Sequence, residues 1–212
     1  MITDEKFLAY CLQHSSPQGS VLEALERETH LRTLYPQMLS GPLQGALLRM
    51  ISRMIRPSRI LEIGTFTGYS AICLAQGLTD NGILHTIEAN DEFAPIIYRH
   101  VQLAGLEGRI ILYLGDASAV IPTLEDTFDL VFLDAGKMDY AAHYKLAVPK
   151  IRPGGFLLAD NVLWDGKVLF DEKDGTAQAL RTFNDMVQAD ERVENVLLPV
   201  RDGLMMVRKK ED

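Results

Sequence analysis

Four acids, Glu88, Asp116, Asp134 and Asp160, each stand at or just beyond the end of a short apolar run, and Asn161 follows the last of them. If those runs are strands of one parallel sheet, their carboxyl ends share an edge, and the acids converge on the crevice where such sheets bind ligands. Asp134, Asp160 and Asn161 would then offer only hard oxygen ligands, a set that suits Mg²⁺ first, or Mn²⁺ or Ca²⁺, better than zinc. The competing reading is loop capping by Asp and Asn. Lys137, three residues after Asp134, is either a solvated loop lysine or a general base, since a nearby divalent cation disfavours its ammonium form.

A glycine-rich turn supplies the second chemical element. Residues 59–70 read RILEIGTFTGYS, a buried strand running through Gly64 and Gly68 into a helix that carries Ser70. Glycines at such a turn let backbone approach a small molecule, and the helix start offers unpaired N–H groups. The spacing is G-x-x-x-G rather than the dinucleotide G-x-G-x-x-G, and an acid, Glu62, precedes it. A carboxylate there opposes a pyrophosphate and favours a ligand with an ammonium or sulfonium group, which tilts against a nucleotide-dependent oxidoreductase. Glu88, 24 positions after Gly64, falls where an acid can accept from both ribose hydroxyls. Asp116 would accept from the exocyclic amine of a base while the Ala117 N–H faces a ring nitrogen; alternatively Asp116 is a helix N-cap.

These groups need an α/β scaffold, and the pattern supplies one. From residue 59 onward apolar runs alternate with helical periodicity, as in a mainly parallel sheet covered on both faces. Strands are expected over residues 59–63, 83–87, 109–114, 128–133 and 156–159, with a turn at Pro153-Gly154-Gly155. Strands at 193–199 and 204–208 form a hairpin through Arg201-Asp202-Gly203. Helices are expected at 3–14, 19–34, 43–55, 91–103, 140–148 and 177–189, and the loop at 35–42 is placed to fold over a ligand at the glycine turn.

With 212 residues and 47% hydrophobic content the chain suits one domain, 1–212, divided into an N-terminal helical extension and lid region at 1–55 and a core at 56–212. A net charge of −8 argues against affinity built on neutralising phosphates, so nucleic acid is not the expected partner. Cys11 and Cys73 lack metal-ligand spacing and are expected as reduced core residues. The charged N-terminus and the lack of a long apolar run imply neither signal peptide nor membrane span, hence a cytoplasmic enzyme.

LEIGTFTGYS, IEAN, GDA, FLDAGKMDYAAHY, DNVLWDGKV and LPVRDGLMMVRK resemble, in order and spacing, the cation-dependent O-methyltransferases of the caffeoyl-CoA and catechol type. The resemblance runs from Tyr35 to Lys209, and its most specific part pairs D-A-x-K with D-N-x-L-W. It implies a Rossmann-like, class I methyltransferase fold: a seven-stranded, mainly parallel sheet with a C-terminal antiparallel hairpin, helices on both faces and extra N-terminal helices. It further implies S-adenosylmethionine held by Glu62, Gly64, Ser70, Glu88, Asp116, Ala117 and Asp134, with Met38 and Ser40 closing over it. Asp134, Asp160 and Asn161 match metal ligands, Lys137 with Asp134 the catalytic pair, and Trp164 with Lys137 the acceptor contacts. The branch usually reads D-A-D-K, whereas Gly136 stands at the second acid here.

The implied acceptor is a small phenol with vicinal hydroxyls, and the implied assembly a homodimer. Some bacterial relatives act instead on a hydroxylated uridine of tRNA, an alternative that the acidic balance disfavours. A binding protein that keeps the sheet without catalysis is disfavoured by the intact Asp134, Lys137, Asp160 and Asn161.

Overall fold

The computed structural model describes residues 5–211. Two N-terminal helices, α1 (Glu5–Gln13) and α2 (Ser20–Arg32), precede a short 3₁₀ turn at Pro36–Met38 and α3 (Gly41–Ile55). The core then alternates β1 (Arg59–Ile63), α4 (Tyr69–Ala75), β2 (Ile83–Glu88), α5 (Ala94–Leu103), β3 (Ile110–Leu114), α6 (Ala117–Val120) and β4 (Phe128–Leu133). It continues with α7 (Tyr140–Ala147), β5 (Ile151–Asp160), α8 (Lys167–Phe170), α9 (Gly175–Ala189), β6 (Val193–Leu198) and β7 (Leu204–Lys209). The expected start of the first helix, at residues 3 and 4, lies outside the described residues. Among them, no helix is long and apolar enough to cross a membrane.

The strands form one seven-stranded sheet in the order β3-β2-β1-β4-β5-β7-β6. All pairings are parallel except those of β7, which runs antiparallel to both β5 and β6. The order reverses between β1 and β4, and a crevice opens at such a switch point beyond the carboxyl ends of the strands.

Strand alternation decides which side chains meet which helices. Leu61, Ile63, Val131, Leu133, Leu157 and Ala159 point to one face and pack with Tyr140 and Tyr144 of α7 and Leu180, Phe183 and Val187 of α9. Ile60, Leu130, Phe132 and Leu158 point to the other and pack with Leu48 and Ile51 of α3, Ile72 and Leu74 of α4, and Ile97 and Val101 of α5. By the same alternation Glu62 and Asp160 fall on the α3 and α4 face.

Two expectations are corrected. Residues 153–155 belong to β5 rather than to a turn before it: the β4 register jumps from Phe128↔Ile151 to Leu130↔Phe156, a bulge with Gly154 at φ 73°. Cys11 is exposed, because α1 rests lightly on α3 and turns most of its residues to solvent; Cys73 is buried as expected.

Candidate active site

The glycine turn is where β1, β2 and β4 lock together. The Gly64 N–H donates to the Ile87 carbonyl at 3.0 Å, and the Asp134 N–H donates to the Ile63 carbonyl at 2.9 Å. A Cβ on Gly64, whose φ is 98°, would stand 2.3 Å from the Asp134 carbonyl oxygen. The missing side chain thus lets the ends of two strands touch, and only the faces of the turn left over are available to a ligand. Gly68, also at positive φ, starts α4 and points Tyr69 and Ser70 along the crevice.

Glu62 lies behind that wall. It is fully buried, its Oε2 accepts from the Thr86 hydroxyl at 2.6 Å, and its Oε1 has no partner. Burial pushes its pKa up to about 8; the Ser70 and Thr86 hydroxyls pull it down less, and the charges of Asp134 and Glu88 push it further up. Its carboxyl does not border the cavity, and the raised pKa favours the uncharged acid at neutral pH over the anion expected to face a cationic ligand. Ser70 borders the cavity in its place.

The cavity has a volume of 690 Å³, ample for a nucleoside-sized ligand beside a small acceptor. Gln37 to Ser40 border it, so the segment read as a lid, with Met38 and Ser40, is in position over the crevice. Glu88 borders it too, accepting from the backbone N–H of Phe66 at 2.7 Å and of Asn90 at 2.9 Å. Burial raises its pKa, and those N–H groups oppose the rise. Each of its oxygens keeps a lone pair for a hydroxyl donor. Phe66 and Phe93, edge to face at 4.9 Å, make an aromatic stretch of wall beside it. Asp116 does cap α6, accepting from the Ser118 N–H at 2.6 Å, and it borders the cavity with Ala117 as well.

The acid and lysine group closes the cavity on the β4 and β5 side. Lys137 Nζ donates to Asp134 Oδ1 and to the Tyr140 hydroxyl, both at 2.7 Å. The Tyr140 hydroxyl in turn shares its hydrogen between the carbonyls of Leu133, at 3.1 Å, and Asp160, at 2.9 Å. Tyr140, which sequence reasoning did not single out, therefore sets the height of Lys137 against both strand ends. Burial raises the Asp134 pKa to about 6; Lys137 lowers it, and the neighbouring Asp160 charge raises it again.

Asp160 is almost fully buried behind the wall, its Oδ2 accepting from Gln44 Nε2 at 2.6 Å, whereas Asn161 and Trp164 border the cavity. Both are in left-handed backbone, at φ 58° and 47°, and the buried Trp164 Nε1 has no hydrogen-bond partner. His143 is a further unforeseen wall residue; burial lowers its pKa against the pull of Asp139 and Asp116. Gly136 sits at ordinary φ −57°, and a Cβ there would meet only Asp139 Oδ2, at 3.5 Å.

Among the described residues no three His, Cys, Asp or Glu side chains cluster as a metal site. A cation held by the residues named from the sequence would have two carboxylates, Asp134 and Asp160, and the Asn161 amide as its donors. Two carboxylates close enough for one to raise the pKa of the other are what an oxygen-seeking cation relieves, so the donor set fits such an ion.

A doubly covered parallel sheet with a nucleoside-sized crevice at its switch point, flanked by an acid and lysine site, defines a Rossmann-like enzyme. Comparison with known proteins places it further. Residues 12–210 match the O-methyltransferase family. The chain is 34% identical over 168 residues to a catechol O-methyltransferase of Niastella koreensis, covering 77% of this chain and 76% of that one. It is 29% identical over 213 residues to a probable caffeoyl-CoA O-methyltransferase of Dictyostelium discoideum, covering 97% and 92%. Its fold superposes with a TM-score of 0.91, at 29% identity and full coverage of both chains, on TomG of Streptomyces achromogenes, an O-methyltransferase of tomaymycin synthesis solved with S-adenosylmethionine. The chain belongs to the O-methyltransferase family, among the S-adenosylmethionine-dependent enzymes of the caffeoyl-CoA and catechol type.

Proposed function

We propose that this O-methyltransferase transfers the methyl group of S-adenosylmethionine, with the help of a divalent cation, to one hydroxyl of a small phenol bearing two vicinal hydroxyls. The observation that carries the reading is one cavity bordered at one end by Glu88, Asp116 and Ala117 and at the other by Asp134, Lys137, Asn161 and Trp164. Glu88 accepts from the donor's ribose hydroxyls, and Asp116 and Ala117 meet its base. Ser70, Met38 and Ser40 enclose the remainder.

Asp134, Asp160 and Asn161 would hold the cation, which when bound lowers the pKa of a hydroxyl it contacts. Lys137 stands beside that hydroxyl. Its Nζ, held at 2.7 Å from Asp134 Oδ1, is placed to position the acceptor oxygen and to take its proton as the general base. Trp164 offers a flat apolar surface to an aromatic ring, and the enzyme's main contribution is to hold oxygen, methyl carbon and sulfur near contact.

The experiment is transfer of a labelled methyl group to a panel of catechols, flavonoids, phenolic CoA esters and bulk tRNA, with Mg²⁺ and with chelator. Mg²⁺-dependent labelling of a vicinal diol is expected. Labelling of tRNA alone would sink the phenolic assignment, and undiminished transfer in chelator the cation.

A further inference from the structure

We propose that Gln44 and Arg201 form a relay that holds the Asp160 carboxylate in the orientation a cation requires, which makes Gln44 a positioning residue for that ligand. The proposal rests on the cation reading given above. Gln44 is on α3, almost fully buried, and its Nε2 donates to Asp160 Oδ2 at 2.6 Å. Its Oε1 accepts from Arg201 Nη1, on the exposed turn between β6 and β7. Arginine can only donate and a carboxylate can only accept, so an amide caught between them has one orientation available. Without Arg201 the amide could turn its oxygen toward Asp160 and repel it. Among the described residues the Asp160 carboxylate has no other hydrogen bond, so Oδ2 is tied to the protein and Oδ1 is left for a ligand.

The turn that carries Arg201 also clamps the stretch leading out of β5. Val162 N–H donates to the Gly203 carbonyl at 3.2 Å and Leu163 N–H to the Asp202 carbonyl at 2.9 Å, and the Asp202 carboxylate accepts from the Asp165 N–H. That stretch contains three non-glycine residues at positive φ, Asn161, Trp164 and Asp165, a conformation that persists only where the surroundings enforce it. One hairpin tip therefore restrains two of the candidate ligands, Asp160 through Gln44 and Asn161 through the backbone. Gln44 and Asp160 are 116 positions apart and Gln44 and Arg201 157, so α3, β5 and the hairpin converge on a single carboxylate.

The test is Mn²⁺ binding to the cofactor-free protein, followed by electron paramagnetic resonance, for wild type, Gln44→Met, Arg201→Met, the double variant and Asp160→Asn. Loss of an orienting partner of a metal ligand typically weakens the metal about 10-fold to 100-fold, and that range is expected for Gln44→Met. S-adenosylmethionine affinity should be unchanged, and kcat should recover at saturating Mn²⁺. Arg201→Met separates positioning from charge. Removing a positive charge beside a cation site should by itself tighten binding, and the Arg201 charge does reach Asp134. The relay predicts weaker binding, with the double variant within about twofold of Gln44→Met because both changes break the same chain.

Wild-type or tighter Mn²⁺ affinity in Arg201→Met, with Asp160→Asn impaired, overturns the relay and leaves the cation site standing. Arg201 is exposed, so that variant decides the matter even if Gln44→Met does not fold. Unchanged binding in Asp160→Asn overturns the cation site and the relay with it.

Discussion

Replacing Glu62 by Gln should make the protein more stable, by an amount that grows with pH. The carboxyl is fully buried and its pKa stands at about 8, against an ordinary 4.5. Between those values the unfolded chain releases a proton that the folded one keeps, so the stability Glu62 contributes is fully present below pH 4.5 and drains away as pH rises to about 8. At roughly 1.4 kcal/mol per pH unit the whole interval is worth about 5 kcal/mol. The amide introduced by Glu62→Gln has no charge to bury, and titrating groups that do not interact with residue 62 cancel in the difference between variant and wild type, which leaves Asp134 and Glu88 as the neighbours whose charges still enter it. Urea denaturation of both proteins in chelator, at pH 4.5 and above pH 8, measures that difference. A gap that widens by several kcal/mol is expected; a gap equal at both ends would refute the assignment of a buried, protonated acid. Cofactor affinity near pH 7 should change by less than about threefold, because little charge is removed there.

Gly64→Ala places a methyl against the Asp134 backbone at positive φ, where nothing flexible can yield. It should cost more than about 4 kcal/mol or prevent folding, as read by thermal denaturation. Tyr140→Phe removes the hydroxyl that joins Lys137 to the Leu133 and Asp160 carbonyls. A stability loss of about 1–3 kcal/mol is expected, together with a lower kcat as Lys137 loses one of the two acceptors that hold it in place. Asp190, held at a pKa of about 2 first by its hydrogen bonds to the Arg192 guanidinium, stabilises the fold above pH 3.8, and that stability fades as pH falls toward 2. Asp190→Asn should therefore be less stable than wild type at pH 7, with the two converging in acid denaturation curves near pH 2.

What the sequence revealed was local. Strand, glycine turn and helix at residues 59–70 could be read because hydrophobic period and turn chemistry operate within a few residues, and the strand-end acids follow from knowing where strands end. Long-range contacts were hidden. Nothing around Gln44 points to Asp160 or Arg201, and Tyr140 lies inside a quoted motif without any local sign that its hydroxyl supports Lys137. The burial of Glu62 was hidden for the same reason: it comes from helices packed over β1, which no local pattern reports. Gly64 was legible as a turn glycine, whereas its close approach to the Asp134 backbone at the end of β4 was not.

Whether Asp134, Asp160 and Asn161 make methyl transfer depend on a cation, as proposed, is decided by one comparison. Labelled methyl transfer to a catechol is measured for wild type and Asp160→Ala, each with Mg²⁺ and in chelator, with S-adenosylmethionine binding followed by calorimetry. Turnover is expected only for wild type with Mg²⁺, while the variant keeps its cofactor affinity. Full activity of Asp160→Ala in chelator would contradict it.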